Sequence, residues 1–322
     1  MTGPISLSYN SIDVPALNQV LQQFEGKHHN AIIEHFEQKL LDITGSPHVV
    51  ALNSGTAALH MGLKALGVGP GDDVLVSTFT YVASINPIMY AGANPVLIDS
   101  EPTTWNMDPA LLEKAVKEAV GKGKKPKAIM VVHVYGMPAS MHEIMAIARR
   151  YEIPVLEDAA EALGSTYNGQ SLGTFGDVGI LSFNNNKIVT TFGGGALLAN
   201  NPEMASKVLY WSTQSRDNLP YYHHAEVGYN YRMGALNAAA GIAGLNDLPG
   251  RITARRTIFE KYSAALMPVA EGFQTEPGKQ YFSNRWLSTL LLKREARQLF
   301  TEITGTSIEV RPLWNPMHQQ PV

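Results

Sequence analysis

Along the chain, short runs of β-branched and other apolar residues alternate with stretches whose apolar positions recur at helical spacing. The runs are HVVAL (48–52), DVLVS (73–77), NPVLID (94–99), KAIMVVHV (127–134), IPVLED (153–158), DVGILSF (177–183) and GGALLAN (194–200). Each is too short for a typical helix, and several are apolar almost throughout, as strands covered on both faces are. Between them, LLEKAVKEAV (111–120) and MHEIMAIARR (141–150) each carry an apolar stripe that reads as core. The alternation predicts an α/β fold around a mostly parallel sheet with helices on both faces. GVGPGDD (67–73) reads as a turn between helix and strand, and GKGKKPK (121–127) as a solvated basic loop.

Near Gly234 the pattern changes, and ALNAAAGIAGLNDLPGRITARRTIFEKYSAAL predicts long helices leading away from the sheet. The chain is therefore divided into a large unit, residues 1–245, and a small C-terminal unit, residues 246–322. Residues 1–25 are candidates to pack with the small unit. An α/β layer built from residues 250–322 needs more helix than this stretch supplies, so the small unit is expected to be incomplete.

Composition narrows the chemistry. With 322 residues and 45% apolar content the chain can bury a large core. A net charge of −3, from 25 basic and 28 acidic residues without long runs, gives no footprint for nucleic acid or a membrane surface. Cysteine is absent, which removes disulfides, thiolate nucleophiles and zinc-thiolate sites. The start carries no targeting pattern and no apolar run approaches a membrane span, so the cytoplasm is expected. Neither GxGxxG between strand and helix, nor GxxxxGK[ST], nor HExxH occurs, and the pairs His28-His29 and His223-His224 have poor ligand geometry. No metal is expected.

Three features fall where strands give way to helices or loops, the edge at which open parallel sheets bind ligands. In NSGTAALH, Ser54, Gly55 and Thr56 can turn amides and hydroxyls toward an anion, or serve as an ordinary helix cap. In PVLEDAAEALG, Asp158 ends an apolar strand where a carboxylate needs a cationic partner, or caps a helix with Glu161 completing a capping box. In SFNNNKIVTTFGGG, Lys187 stands after three asparagines and ahead of Gly193 to Gly195. A solvated lysine amine titrates near 10.4, and holding it neutral at pH 7 costs about 4–5 kcal/mol. Uncharged asparagines could orient the amine without favouring its charged form, as a Schiff-base lysine requires. An anion-binding helix start, an acidic strand end and a poised lysine together describe a pyridoxal 5'-phosphate site. Phe79 and Tyr81, at another strand end, offer an aromatic cover for the ring.

The segments SGTAALH, TYVASINPIMYAGANPVLID, IPVLEDAAEALGSTYNG, GTFGDVGILSFNNNKI, GYNYRM and RPLWNPMHQQP, in this order, resemble the DegT/DnrJ/StrS sugar-nucleotide aminotransferases. NNNKIVTTFGGG, SEPTTWNMDP and SNRWLSTL are most similar to the branch that aminates C4 of UDP-4-keto-6-deoxy-N-acetylglucosamine on the way to UDP-N-acetylbacillosamine, although that branch usually has glycine where Asn185 stands. The resemblance implies the aspartate aminotransferase fold (fold type I), with a large mostly parallel sheet domain and a smaller C-terminal α/β domain. It implies that Lys187 bonds the cofactor, Asp158 faces the pyridine nitrogen and Glu161 the ring hydroxyl. Gly55, Thr56 and Ser182 match phosphate contacts, Tyr81 the stacking aromatic, and Asn230 a residue reaching the neighbouring subunit's phosphate. Glutamate as donor, a keto sugar nucleotide as acceptor and a homodimer with shared sites follow from the same resemblance. Arg311, Trp314 and His318 match a segment near the sugar nucleotide, or pack a domain interface. Arg232 is expected to tie down the GYNYR loop through a carboxylate, and His133 to end its strand. A GDP-perosamine type of acceptor, another 3-keto or 4-keto sugar, and a non-catalytic regulatory homologue are the rival expectations. Relatives that act as dehydratases carry histidine at the lysine position.

Overall fold

The computed structural model describes residues 5–8 and 12–321. The chain opens with α1 (Val14–Gln23) and α2 (Asn30–Thr44). It then alternates: β1 (His48–Leu52), α3 (Gly55–Ala65), β2 (Asp73–Ser77), α4 (Asn86–Tyr90), β3 (Asn94–Ile98), α5 (Pro109–Gly121), β4 (Ala128–Val132), α6 (Met141–Tyr151) and β5 (Val155–Asp158). Two short strands, β6 (Thr166–Tyr167) and β7 (Gln170–Ser171), precede β8 (Val178–Ser182) and β9 (Gly195–Ala199). Helices α7 (Pro202–Ser212), α8 (Ala235–Leu245) and α9 (Leu248–Leu266) follow. The chain finishes with β10 (Ala270–Phe273), β11 (Tyr281–Phe282), β12 (Leu290–Leu292) and α10 (Ala296–Ile303).

The main sheet runs β1-β9-β8-β5-β4-β2-β3. Neighbours from β8 to β3 are parallel, and β9 alone lies antiparallel between β1 and β8. This is the α/β arrangement expected from the alternation. Every residue of β4 and β9 is buried, which explains why these strands read as unbroken apolar runs. The pairing of β9 with β1 and β8 aligns Leu52 and Ser182 with Gly195, so the ends of β1 and β8 and the start of β9 meet at one edge. Asp158 ends β5 at that same edge.

Helix α3 is sandwiched so tightly that Gly62 leaves no room for a side chain: a Cβ there would sit 2.7 Å from Leu156 Cδ1. Helix α8 ends at Leu245, where the division into two units was drawn, although helices leading away from the sheet were expected from Gly234 on. Its alanine-rich sequence packs closely against α2, with Gly241 against the Phe36 ring, and the chain leaves the sheet only in α9. Residues 5–7 pair with 307–309 through Ile5 and Glu309, whereas α1 packs on α8. The candidates at residues 1–4 and 9–11 lie outside the described residues.

Candidate active site

Beyond β8 the chain turns through the asparagines, where the Lys187 amide donates to the Asn184 carbonyl at 3.0 Å. The Lys187 side chain turns inward and is only 12% exposed. Its Nζ lies 3.1 Å from Glu161 Oε1 and 4.3 Å from the ring centre of Trp286. Asn184, Asn185 and Asn186 are exposed, and the amine lies against a buried carboxylate and an indole face.

Because side chains alternate along a strand, Glu157 and Asp158 at the end of β5 point to opposite sides. Asp158 accepts from Ser84 Oγ at 2.7 Å and from the Ala160 amide at 3.2 Å, and Ser84 Oγ is 2.6 Å from Thr80 Oγ1. Burial raises its pKa, and the Ser84 and Ala160 hydrogen bonds, followed by the Lys187 charge, only partly offset this. Burial raises that of Glu161 as well, against Lys187 and the Tyr135 amide. No helix follows Asp158, so the capping box is not formed. Glu161 instead accepts from the Tyr135 amide at 2.7 Å, which the positive φ of 55° at Tyr135 aims inward.

On the other side, Glu157 accepts from the amides of Gly173, Phe175 and Gly176 at 2.6–2.9 Å and from His133 Nε2 at 3.0 Å. His133 Nδ1 accepts from the Ala139 amide at 3.2 Å, which places the ring proton on Nε2. His133 therefore does more than end its strand: with Glu157 it fixes the loops beneath the site.

The start of α3 forms a small cradle. Ser54 caps the helix, its Oγ accepting from the Ala57 amide at 3.0 Å, so for this residue the ordinary cap reading holds. The Gly55 and Thr56 amides lie ahead of the first intrahelical hydrogen bonds, at the positive end of the dipole. Two bare backbones make room. A Cβ on Gly195 would lie 2.6 Å from the Gly55 nitrogen, and one on Gly55 would lie 3.0 Å from Ser182 Cβ. Asn230 is exposed beside this cradle, its carbonyl accepting from Asn53 Nδ2 at 3.1 Å. Arg232 is held by Glu37, as expected of a loop anchor.

An aromatic wall completes the edge. Tyr81 is 54% exposed and its ring is 5.5 Å from that of Trp314, which packs 4.6 Å from Tyr135. Phe79 sits behind, 5.9 Å from Tyr135. The C-terminal segment is pinned there: the Met317 amide donates to the Thr78 carbonyl at 2.7 Å, and His318 Nδ1 is 2.8 Å from Thr78 Oγ1. Trp314 and His318 thus join the site edge. Arg311 does not converge with them; it is 71% exposed and pairs with Glu309. Ser84, Tyr135, Asn284 and Trp286 went unread in the sequence as site residues, because each acts through a partner far along the chain.

A buried carboxylate at a strand end, an inward lysine amine and an anion cradle on a parallel sheet define an aminotransferase of fold type I, with pyridoxal phosphate as its cofactor. Consistent with that class, the profile of the DegT/DnrJ/EryC1/StrS aminotransferase family matches residues 10–322. The chain belongs to this family. It is 44% identical over 296 residues to EpsN of Bacillus subtilis (strain 168), assigned to the pyridoxal phosphate-dependent aminotransferases, covering 90% of this chain and 76% of that one. It is 35% identical over 333 residues to the GDP-perosamine synthase of Caulobacter vibrioides (strain ATCC 19089 / CIP 103742 / CB 15), covering 96% and 87%. Among solved structures, Spr1654 of Streptococcus pneumoniae in its PLP form, described as a sugar aminotransferase, superposes with a TM-score of 0.88 at 26% identity over 98% of this chain and 86% of that one. No helix among the described residues is long and apolar enough to cross a membrane.

Proposed function

We propose that this sugar aminotransferase moves the amino group of L-glutamate to a keto carbon of a nucleotide sugar, C4 of UDP-4-keto-6-deoxy-N-acetylglucosamine being the acceptor its sequence resembles most. The observation that carries the reading is the Lys187 amine, buried 3.1 Å from Glu161 at the edge where Asp158 ends its strand. The residues fit the cofactor. Asp158, a carboxyl group buried at the strand end, is suited to a cationic ring nitrogen; Gly55, Thr56 and Ser182 to a phosphate; Glu161 to a ring hydroxyl; and Tyr81 to the ring face. When bound, the cofactor supplies a cationic conjugated ring that withdraws electrons from the carbon bearing the amino group. Lys187 would bond the cofactor's exocyclic aldehyde carbon and, once displaced by the substrate's amine, would carry the proton away from and back to the reacting carbon. Glu161 accepts that amine's hydrogen bond, and the aromatic wall of Tyr81, Trp314 and Tyr135 excludes water from one side.

Asn230, exposed beside the cradle, and the exposed Tyr221, Tyr222, Val227 and Leu236 support a homodimer in which each subunit completes the other's site. Trp314 and His318, at the site edge, would meet the nucleotide sugar in this reading. The 35% identity to a GDP-perosamine synthase favours a second reading, a GDP-linked 4-keto sugar. Purified protein, glutamate and a panel of 4-keto and 3-keto sugars carried on UDP or GDP decide between them, with the aminated carbon located by NMR. Amination at C4 of the UDP sugar alone is expected, and exclusive use of the GDP sugar selects the second reading. Lys187→Ala abolishes both turnover and the absorbance of bound cofactor; a variant that transaminates at the native rate refutes the site.

A further inference from the structure

The indole of Trp286 touches Lys187 at two points. It is 2% exposed, and its Nε1–H donates at 2.8 Å to the carbonyl of Asn186, the peptide group that immediately precedes the lysine. Its ring centre lies 4.3 Å from the lysine amine, which also meets the Glu161 oxygen at 3.1 Å. One contact fixes where the lysine's backbone stands, and the other limits where its amine can go.

Trp286 is itself held rigidly. Its amide donates to Asn284 Oδ1 at 2.9 Å, and Asn284 Nδ2 donates to the carbonyls of Glu161 and Leu163 at 2.8 and 3.0 Å. The Asn284 amide donates to Ser165 Oγ at 2.8 Å, and that hydroxyl donates to the Gly136 carbonyl at 2.7 Å. The segment 283–286 is therefore bolted to the loops that carry Glu161 and Tyr135. Arg285 adopts a positive φ of 51° between Asn284 and Trp286, a conformation that a bulky residue keeps only where its surroundings enforce it.

Resting on the cofactor site proposed above, we infer that Trp286 is a positioning residue for Lys187: its N–H anchors the lysine's backbone and its ring face holds the amine in the arc where it meets the cofactor's aldehyde. In that bond-forming step the amine nitrogen attacks the aldehyde carbon, and the aldehyde oxygen leaves as water. A near-attack geometry set by a rigid neighbour speeds such a step without altering the affinity of the cradle. The indole face is also a bulky, low-polarity wall, so it limits the amine's arc by contact.

The test separates positioning from general support of the fold. Pyridoxal phosphate needs both cradle and amine for capture, whereas pyridoxamine phosphate occupies the cradle and forms no bond to Lys187. Trp286→Phe keeps a ring face and most of the volume but loses the N–H. Ser8 Oγ, 3.1 Å from the same Asn186 carbonyl, leaves that oxygen one donor. Capture of pyridoxal phosphate by apoprotein, followed in a stopped-flow spectrometer, is expected to slow about fivefold, the worth of one hydrogen bond. Affinity for pyridoxamine phosphate, measured by calorimetry, stays within about twofold because the anion contacts are untouched. Trp286→Leu, which also removes the ring face that limits the amine's arc, slows capture by about thirtyfold. Native capture by Trp286→Phe overturns the inference, and so does a parallel loss of pyridoxamine phosphate affinity. Native protein that forms no borohydride-reducible bond at Lys187, by peptide mapping, refutes the proposed site and this inference with it; native capture with an unaffected Trp286→Phe refutes the inference alone.

Discussion

Asp158→Asn should make the apoprotein more stable and the enzyme worse. The carboxylate is 5% exposed, and its two hydrogen bonds come from Ser84 Oγ and the Ala160 amide. Asparagine fits the same volume: its oxygen keeps the Ala160 bond, and its amide donates to Ser84 Oγ, whose proton rotates toward Thr80 Oγ1 2.6 Å away. What disappears is a buried charge that its hydrogen bonds and the Lys187 charge only partly compensate. Because burial raises the Asp158 pKa above the ordinary 3.8, the folded apoprotein binds this proton more tightly than the unfolded chain does. The linked stability is fully present below pH 3.8 and is lost as pH rises through the folded-state value. Removing the charge therefore stabilises the apoprotein only on the alkaline side of that window. Relieving a buried charge of this kind is worth about 1–2 kcal/mol. With an unfolding entropy of about 2.1 cal/mol/K per residue, the 322-residue chain should gain about 1.5–3 °C in Tm at pH 8.

Catalysis moves the opposite way, since the variant cannot hold a proton on the ring nitrogen by charge. Loss of one such preorganised electrostatic partner costs about 10²–10³ in kcat. Scanning calorimetry of apoprotein and variant from pH 4 to 8, beside turnover of the loaded forms, reads both effects. A variant less stable than the native apoprotein at pH 8 refutes the burial argument, because the carboxylate would then be satisfied without the cofactor. A variant with native kcat refutes its pairing with the ring.

Gly195→Ala drives a methyl to 2.4 Å from the Ser54 carbonyl carbon, so the helix start must shift; affinity for pyridoxamine phosphate should fall at least about tenfold with a stability cost of about 1–3 kcal/mol, and unchanged affinity by calorimetry would show that the cradle is not the phosphate site. Arg232→Ala strands the Glu37 carboxylate, which is 15% exposed and also accepts from the Ala51 amide at 2.7 Å. A loss of about 3 kcal/mol is expected in urea unfolding at constant m, and a loss under about 0.5 kcal/mol would reduce that pair to a surface contact.

The sheet was legible because its strands are buried on both faces and so carry unbroken apolar runs, the most local signal a strand can give. DVLVS coincides with β2 and HVVAL with β1. Which layer covers helix α8 could not be read, because apolar content without a polar face tells how deeply a helix is buried, not what lies over it; here α2 does. Lys187 and Asp158 could be read because each sits where an apolar strand stops, so their residue type and position agree. The partners that set their chemistry could not. Glu161 was read only as a cap or a ring-hydroxyl contact, yet it meets the lysine across 26 positions of chain. Trp286 reaches the Asn186 carbonyl across 100, through a tryptophan that in sequence is one more apolar residue.

That separation has a physical reason. A nucleophilic lysine needs a surround that restrains its amine without fixing it permanently as an ammonium, and no single local segment supplies both a carboxylate and a low-polarity face. The carboxylate comes from the loop after β5, where burial already favours its neutral form, and the indole comes from the segment 283–286. The two meet only when the chain beyond α9 folds back onto the sheet edge. Asn284 couples that closure to the site, since its side chain bonds the carbonyl of Glu161 itself. Displacement of the 283–286 segment would therefore release the indole and loosen the carboxylate together, leaving Lys187 an ordinary solvated amine on a loop.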